Sequence, residues 1–173
     1  MTRKVSRGTK ANDDHVPHKR YAVVAMGGTF DVLHNGHKTL LKQAFGIGRK
    51  VMIGVTSDEF AKSLHKPHKL DSYTKRRVYL ERLLERWKVR RRASIVPLED
   101  RYGPTIRVSG IDALVVSKRT VKTAYEINAH RRTRGLKPLD IVPIDLLMAE
   151  DSRPISSTRI RRGKIDRHGR LVG

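Results

Sequence analysis

The chain is short of several residue types, and each shortage excludes a class of protein. It has no cysteine among its 173 residues, which excludes a disulfide-bonded scaffold and a zinc site built on thiolates. No stretch of it is apolar for long enough to cross a membrane as a helix. The amino-terminal end is charged and lacks the apolar segment of a secretory signal. We therefore expect a cytoplasmic protein that has no membrane partner.

Aromatic and acidic residues are also scarce. One Trp, five Tyr and three Phe are too few for the stacked aromatic surface on which single-strand binders hold bases. Only 17 acidic residues oppose 38 Lys and Arg, so the formal net charge is +21. Such a charge attracts nucleic acids and small phosphorylated substrates alike. Because no zinc-finger or RNA-binding signature accompanies it, we expect no specific nucleic-acid partner, and a basic nucleic-acid-binding module is the alternative.

The pattern of apolar residues predicts one domain in which strands alternate with helices. Residues 1–20 have almost nothing to bury and are expected to form a basic, disordered tail, and residues 21–173 the folded domain. Continuous apolar runs predict strands, and amphipathic stretches between them predict helices. The strands are at 21–26, 51–55, 93–98, 113–116 and 139–144; the helices are at 38–45, 58–64, 72–88 and 121–134. This order is typical of the α/β class, as a doubly wound five-stranded parallel sheet of Rossmann-like fold, and we favour a monomer.

A glycine-rich segment lies where the first strand ends and the first helix begins. It runs Gly27-Gly28-Thr29-Phe30-Asp31-Val32-Leu33-His34-Asn35-Gly36-His37. A strand that breaks at glycines and enters a helix presents free backbone N–H groups at the positive helix end, which suits a triphosphate. The alternative is an ordinary turn with two surface histidines. Zinc binding by His34 and His37 is disfavoured because no third ligand lies nearby in the sequence.

A second segment, at residues 154–163, combines hydroxyls with arginines. Ser156 or Ser157 is a natural N-cap, so a helix is predicted to begin there. Its first turns carry Arg159, Arg161 and Arg162, which oppose the helix dipole at a cost of about 0.3–1 kcal/mol each. Such a helix start is explained if an anion such as pyrophosphate sits on it. The alternative is a capped surface helix in an arginine-rich protein.

Both segments resemble those of known enzymes. The first resembles the T/HxGH signature of nucleotidylyltransferases, which move AMP or CMP from a nucleoside triphosphate onto a phosphate acceptor. The second resembles the Ile-Ser-Ser-Thr-x-x-Arg motif of phosphopantetheine adenylyltransferases. Residues 97–105, 115–117, 124–128 and 135–139 extend the resemblance to the archaeal-type pantetheine-phosphate adenylyltransferases of the HxGH superfamily. The alternatives within the superfamily are FMN or NMN adenylyltransferase and glycerol-phosphate cytidylyltransferase.

The resemblance implies transfer of the adenylyl group of ATP to 4′-phosphopantetheine, giving dephospho-coenzyme A and pyrophosphate. It implies that His34 and His37 hold the triphosphate, that Thr29 orients the acceptor phosphate, and that Lys69 or Lys66 neutralises phosphate oxygens. Mg²⁺ is expected on the ATP phosphates, without dedicated protein ligands. Asn128 is expected to bound the nucleotide pocket together with Glu126, the alternative for both being a solvated helix face. The nucleotide-binding residues implied are Gly27, Gly28, Phe30, Asp31, Glu126, Ser156, Ser157, Thr158, Arg159 and Arg161.

Overall fold

The structure, a computed structural model, describes residues 19–65 and 67–173. Its strands are β1 (Tyr21–Gly28), β2 (Gly48–Thr56), β3 (Ala93–Leu98), β4 (Ala113–Ser117) and β5 (Asp140–Ile144). Its helices are α1 (Asn35–Ile47), α2 (Asp58–Ser63), α3 (Tyr73–Arg86), α4 (Val121–Thr133) and α5 (Ser157–Arg161). All but two residues of the predicted tail, and Lys66, lie outside the described residues. Within the described ranges no helix is long and apolar enough to span a membrane.

The five strands form one parallel sheet in the order β3-β2-β1-β4-β5. The chain moves outward from β1 to β3 and then returns to the other side of β1 for β4 and β5. The sequence-based prediction of a doubly wound, five-stranded parallel sheet is therefore confirmed. The reversal of direction opens a crevice at the carboxyl ends of β1 and β4, which is where this architecture binds ligands.

Helices cover both faces of the sheet, which explains why its strands are apolar without alternation. On one face, Val24 and Ile53 pack in the same buried cluster as residues of α1 and α3, including Leu41 and Leu80. On the other face, the next residue of β1, Ala25, and residues of β4 pack in a cluster with Ile127 of α4. The two clusters make a three-layer α/β/α domain that holds the strand ends rigidly.

Two buried arginines fasten loops to this framework. Arg76 of α3 is fully buried and donates hydrogen bonds of 2.8 Å to the backbone oxygens of Thr29, Thr56 and Asp71. Those carbonyls stand just after β1, at the end of β2 and just before α3. Arg131 of α4 is also fully buried and donates to backbone oxygens of flanking loops. Because each guanidinium has several acceptors, burying its charge fixes the geometry of the segments that it joins.

Two element boundaries differ from the predicted ones by three residues, and the others by at most two. Helix α1 begins at Asn35, three residues before the predicted start, because His34 caps it. Strand β2 begins at Gly48, three residues early, because Tyr21 of β1 pairs with Gly48. The charged Arg49 and Lys50 conceal this extension from an apolar pattern. The first difference matters for function, since it places both histidines of the motif at the start of the helix.

Candidate active site

A cavity of about 800 Å³ lies at the carboxyl ends of β1 and β4. It brings together the two segments singled out in the sequence, which are about 120 residues apart. Thr29, His34 and His37 line one side of it, and residues 156–159 line another. The crevice between the central strands is therefore walled by hydrogen-bond donors from both motifs.

The turn after β1 is held by an unusual backbone conformation. Phe30 has a φ of +52°, in the left-handed region that costs a non-glycine residue about 1–2 kcal/mol. The residue is 99% buried, and its ring centroid lies 5.1 Å from that of His37. Burial of the ring offsets the backbone cost, and the turn then directs Asp31 inward and His34 to the start of α1.

His34 has a defined tautomer and charge state. It caps α1, and its Nδ1 accepts the backbone N–H of His37 at 3.4 Å. The side chain is buried, and this burial, helped by the charge of Lys38, lowers the pKa of His34 from 6.5 to about 4. At neutral pH the ring is therefore uncharged and carries its proton on Nε2, so it can donate one hydrogen bond to an anion.

The presence of Gly36 between the two histidines has a steric explanation. The imidazole rings of His34 and His37 stack with centroids 3.8 Å apart. A Cβ atom at Gly36 would lie 3.0 Å from Cε1 and Nδ1 of His34, closer than normal van der Waals contact. Only glycine at this position leaves the His34 ring where it stacks on His37.

Asp31 joins the two motifs. Its buried carboxylate accepts two hydrogen bonds from the Arg161 guanidinium, at 2.9 and 3.0 Å, and one from the backbone N–H of Asp71 at 3.0 Å. Arg161 also pairs with the Asp71 carboxylate at 3.0 Å. Burial alone would raise the pKa of Asp31, but the hydrogen bonds from Arg161 and Asp71 outweigh it and leave the pKa below its usual value. This group of three side chains, which we call the Asp31 clasp, ties α5 and the loop before α3 to the first motif.

The second motif divides its residues between the cavity and the clasp. Ser156 caps α5 by accepting the backbone N–H of Arg159 at 3.4 Å, and Ser156, Ser157 and Thr158 line the cavity. Arg159 lines it too, but its guanidinium pairs with Asp151 at 2.5 Å. Arg161 does not line the cavity and contacts carboxylates instead. The hydroxyls of α5 therefore face the cavity, while both of these arginines have acidic partners.

The other predicted site residues lie outside this cavity. Lys69 is exposed and lines a neighbouring cavity of about 650 Å³, and Lys66 falls outside the described residues. Glu126 accepts hydrogen bonds from Arg101 and Tyr102 at 3.3 Å. Asn128 is buried, and its side-chain amide makes two hydrogen bonds to the backbone of Leu139. The amide of Asn128 therefore holds the chain before β5, and Asn128 does not line the main cavity.

Gly27 and Gly28 line a third, mostly apolar cavity of about 270 Å³. Its walls include Phe60, Leu98 and Ile127. Four of its lining residues also line the 800 Å³ cavity: Thr29, Leu40, Ser117 and Thr120. The two cavities therefore meet at Thr29, the first residue after β1.

Sequence reasoning missed several residues of the main cavity. They are His68, Ser117, Arg119, Thr120, Asp145, Leu147 and Arg153. Most lie at or after the carboxyl ends of β4 and β5. The predicted topology could therefore have pointed to them, because ligands bind at these strand ends in this architecture. Among the described residues no group of three or more His, Asp or Glu side chains is placed to hold a metal ion.

Comparisons with known proteins agree with this geometry. The profile of the cytidylyltransferase-like family matches residues 25–163. A protein of Methanothermobacter thermautotrophicus named phosphopantetheine adenylyltransferase is 46% identical over 154 residues, which cover 89% of the chain and 92% of the relative. One of the same name from Methanosarcina acetivorans is 45% identical, covering 86% and 94%.

Solved structures show the same fold. A crystal structure of a protein with unknown function from Archaeoglobus fulgidus has a TM-score of 0.64 and 34% identity, covering 77% of this chain and 98% of that one. Another match is a bifunctional NMN adenylyltransferase/ADP ribose pyrophosphatase from Francisella tularensis, with 16% identity and a TM-score of 0.58. The matched region covers 82% of this chain and 41% of that one, and at this identity it shows the fold alone. The chain belongs to the cytidylyltransferase-like family of nucleotidyltransferases, together with the archaeal proteins named phosphopantetheine adenylyltransferase.

Proposed function

We propose that the protein transfers the adenylyl group of ATP to 4′-phosphopantetheine, giving dephospho-coenzyme A and pyrophosphate. The observation that carries the proposal is the meeting of both sequence motifs in one cavity at the carboxyl ends of β1 and β4. Eight archaeal relatives that share the name phosphopantetheine adenylyltransferase are 40–46% identical and match over nearly their whole length.

ATP fits the larger cavity and the acceptor the smaller one. Thr29, His34, His37 and the hydroxyls of residues 156–158 offer hydrogen-bond donors to phosphate oxygens in the 800 Å³ cavity. The 270 Å³ cavity is lined mainly by apolar side chains, as an uncharged pantetheine arm requires. Because the two cavities share Thr29, the acceptor phosphate and the α-phosphate of ATP would meet beside it.

The reaction needs no protein nucleophile. An oxygen of the ionised acceptor phosphate attacks the α-phosphorus in line, and the bond from that phosphorus to the oxygen bridging to the β-phosphate breaks. The electron pair leaves with pyrophosphate, and no proton has to be transferred. Catalysis is then a matter of positioning and of stabilising charge on the phosphoryl oxygens. His34 donates its Nε2 hydrogen, His37 lies nearest the α-phosphate, and the serine hydroxyls hold the outer phosphates.

Mg²⁺ is the metal that we expect with ATP, and it would arrive on the triphosphate. The described part of the chain offers no cluster of carboxylates for it, so its ligands would be phosphate oxygens and water. It would neutralise charge on those oxygens, and the protein supplies the hydrogen-bond donors around them.

Release of pyrophosphate tests the proposal directly. The protein is incubated with ATP and Mg²⁺ and, in parallel, with 4′-phosphopantetheine, FMN, NMN or glycerol phosphate; glycerol phosphate is also tested with CTP. We expect release with 4′-phosphopantetheine alone, with dephospho-coenzyme A in the product. Release with another acceptor would support nucleotidyl transfer but refute 4′-phosphopantetheine as the substrate. A folded protein that gives no release with any acceptor, and binds RNA in a salt-dependent manner, would refute the enzyme assignment.

A further inference from the structure

His68, in the loop between α2 and α3, lies between two cavities. Its side chain is 91% buried and lines both the 800 Å³ cavity and the neighbouring 650 Å³ cavity. Lys69, the next residue, is exposed and lines only the second of these cavities. Among the described residues of this loop, His68 is therefore the polar side chain that lines the main cavity, which Thr29 and His37 also line.

Both ring nitrogens of His68 are buried and have no hydrogen-bond partner among the described residues. The closest charged group is the Asp31 carboxylate, whose Oδ2 lies 3.5 Å from Nε2, beyond a good hydrogen bond. That carboxylate already accepts three N–H groups in the Asp31 clasp. Buried polar atoms in native proteins are nearly always paired, so an unpaired imidazole at a cavity wall calls for a ligand.

We propose that His68 donates a hydrogen bond to a phosphate oxygen at the reacting centre, the role that the sequence assigned to a loop lysine. This inference rests on the proposed function. The ring nitrogens are covered, so the exposed part of the side chain lies on its carbon atoms. A half-turn about the Cβ–Cγ bond exchanges nitrogen and carbon positions and turns an N–H group to the cavity without moving the backbone.

The surroundings of His68 favour an anion over other ligands. The polar groups that the first motif adds to the same cavity, on Thr29, His34 and His37, are hydrogen-bond donors or can act as such. The carboxylate in contact with His68, that of Asp31, is paired with Arg161, which also pairs with Asp71. The phosphate can belong to ATP or to the acceptor, and the two sources can be separated by experiment.

The test measures binding without turnover. Calorimetry compares the wild type with His68→Leu, which removes both nitrogens at similar volume, and with His68→Gln, which keeps a side-chain N–H. His65→Asn is the matched control, because His65 is exposed, lines only the second cavity and has a φ of +46°, which Asn tolerates. The probes are inorganic tripolyphosphate and 4′-phosphopantetheine.

We expect His68→Leu to weaken binding of at least one probe about tenfold to a hundredfold, the range for one hydrogen bond to a charged group. His68→Gln should recover part of the loss, and His65→Asn should bind both probes as the wild type does. The probe affected identifies the source of the phosphate. The melting temperature of His68→Leu should not fall, since no hydrogen bond is removed, whereas a purely structural role predicts a fall.

Equal binding of both probes by the wild type and His68→Leu would overturn the inference, and so would a wild type that binds neither. A wild type that binds tripolyphosphate in a His68-dependent manner, but does not bind 4′-phosphopantetheine, would uphold His68 and refute the acceptor in the proposed function.

Discussion

Acidification from pH 7 to pH 5 should destabilise the protein through one side chain, His34. The buried ring is neutral in the folded protein, and its Nδ1 is engaged by the backbone N–H of His37. A proton on either nitrogen would place a charge where burial and Lys38 disfavour it. In the unfolded chain the same ring is in water and takes up a proton near pH 6.5.

The size of the effect follows from the two pKa values. Because the folded value of about 4 lies below the unfolded one, the unfolded state binds more protons between them. The stabilisation is fully present above pH 6.5 and is lost as the pH falls towards 4. The whole difference corresponds to about 3 kcal/mol, of which about 2 kcal/mol is lost by pH 5. Asp31 does not interfere, since its pKa lies below the usual range of a carboxyl group.

Urea unfolding at pH 7 and pH 5 measures this loss. His34→Asn keeps a residue that caps helices well but cannot titrate, so its free energy of unfolding should fall by about 2 kcal/mol less than that of the wild type. His65→Asn, which replaces an exposed histidine, should lose as much as the wild type. If the wild type and His34→Asn lose the same free energy, the ring of His34 is not held neutral, and its assignment as an Nε2–H donor fails.

Three further changes test the site. His37→Ala should lower kcat by orders of magnitude with an unchanged melting temperature, and a folded variant of full activity would contradict the assignment. Gly36→Ala should displace the His34 ring and lower kcat/KM, whereas Gly46→Ala in the same helix, which meets nothing within 4 Å, should keep full activity; equal activities would refute the steric argument. Asp31→Asn should lower the free energy of unfolding by about 2 kcal/mol at pH 7. That difference should shrink as the pH falls below about 4 towards the lowered pKa of Asp31, because the unfolded wild-type chain takes up this proton before the folded one does. Urea unfolding at pH 7 and about pH 3 measures it, and an equal difference at both values would contradict the argument.

The local pattern of the sequence was sufficient to predict the fold and to locate the first motif. Buried strands need apolar side chains on both faces, and a strand that ends in Gly27-Gly28 before a helix indicates a crevice and a positive helix end. These are properties of neighbouring residues, so they can be recognised without knowledge of the fold. The start of α1 at Asn35 was missed by three residues, because its N-cap, His34, is not of a usual capping residue type.

Contacts between segments that are distant in the sequence could not be predicted from such local patterns. Arg76 looks like any other charge on an amphipathic helix, yet it is fully buried and holds the ends of two strands. His68 stands among lysines in a polar loop, and only the fold shows that it lines the main cavity. In both cases the surroundings of the side chain depend on which strand ends converge, which periodicity does not reveal.

The arginines of α5 show why the charge of a segment cannot be interpreted without its partners. Their position near a helix start predicts an anion, and the structure provides carboxylates: Asp151 for Arg159, and the Asp31 clasp for Arg161. The groups of α5 that line the cavity without an acidic partner are the hydroxyls of residues 156–158. The paired guanidiniums tie α5 to Asp151 and to the first motif, so in the proposed reaction its hydroxyls would require little reorganisation when charge moves from the α-phosphate to the leaving pyrophosphate. We therefore propose that these arginines assist the reaction by positioning other groups, even though their charge suggests direct contact with the phosphates.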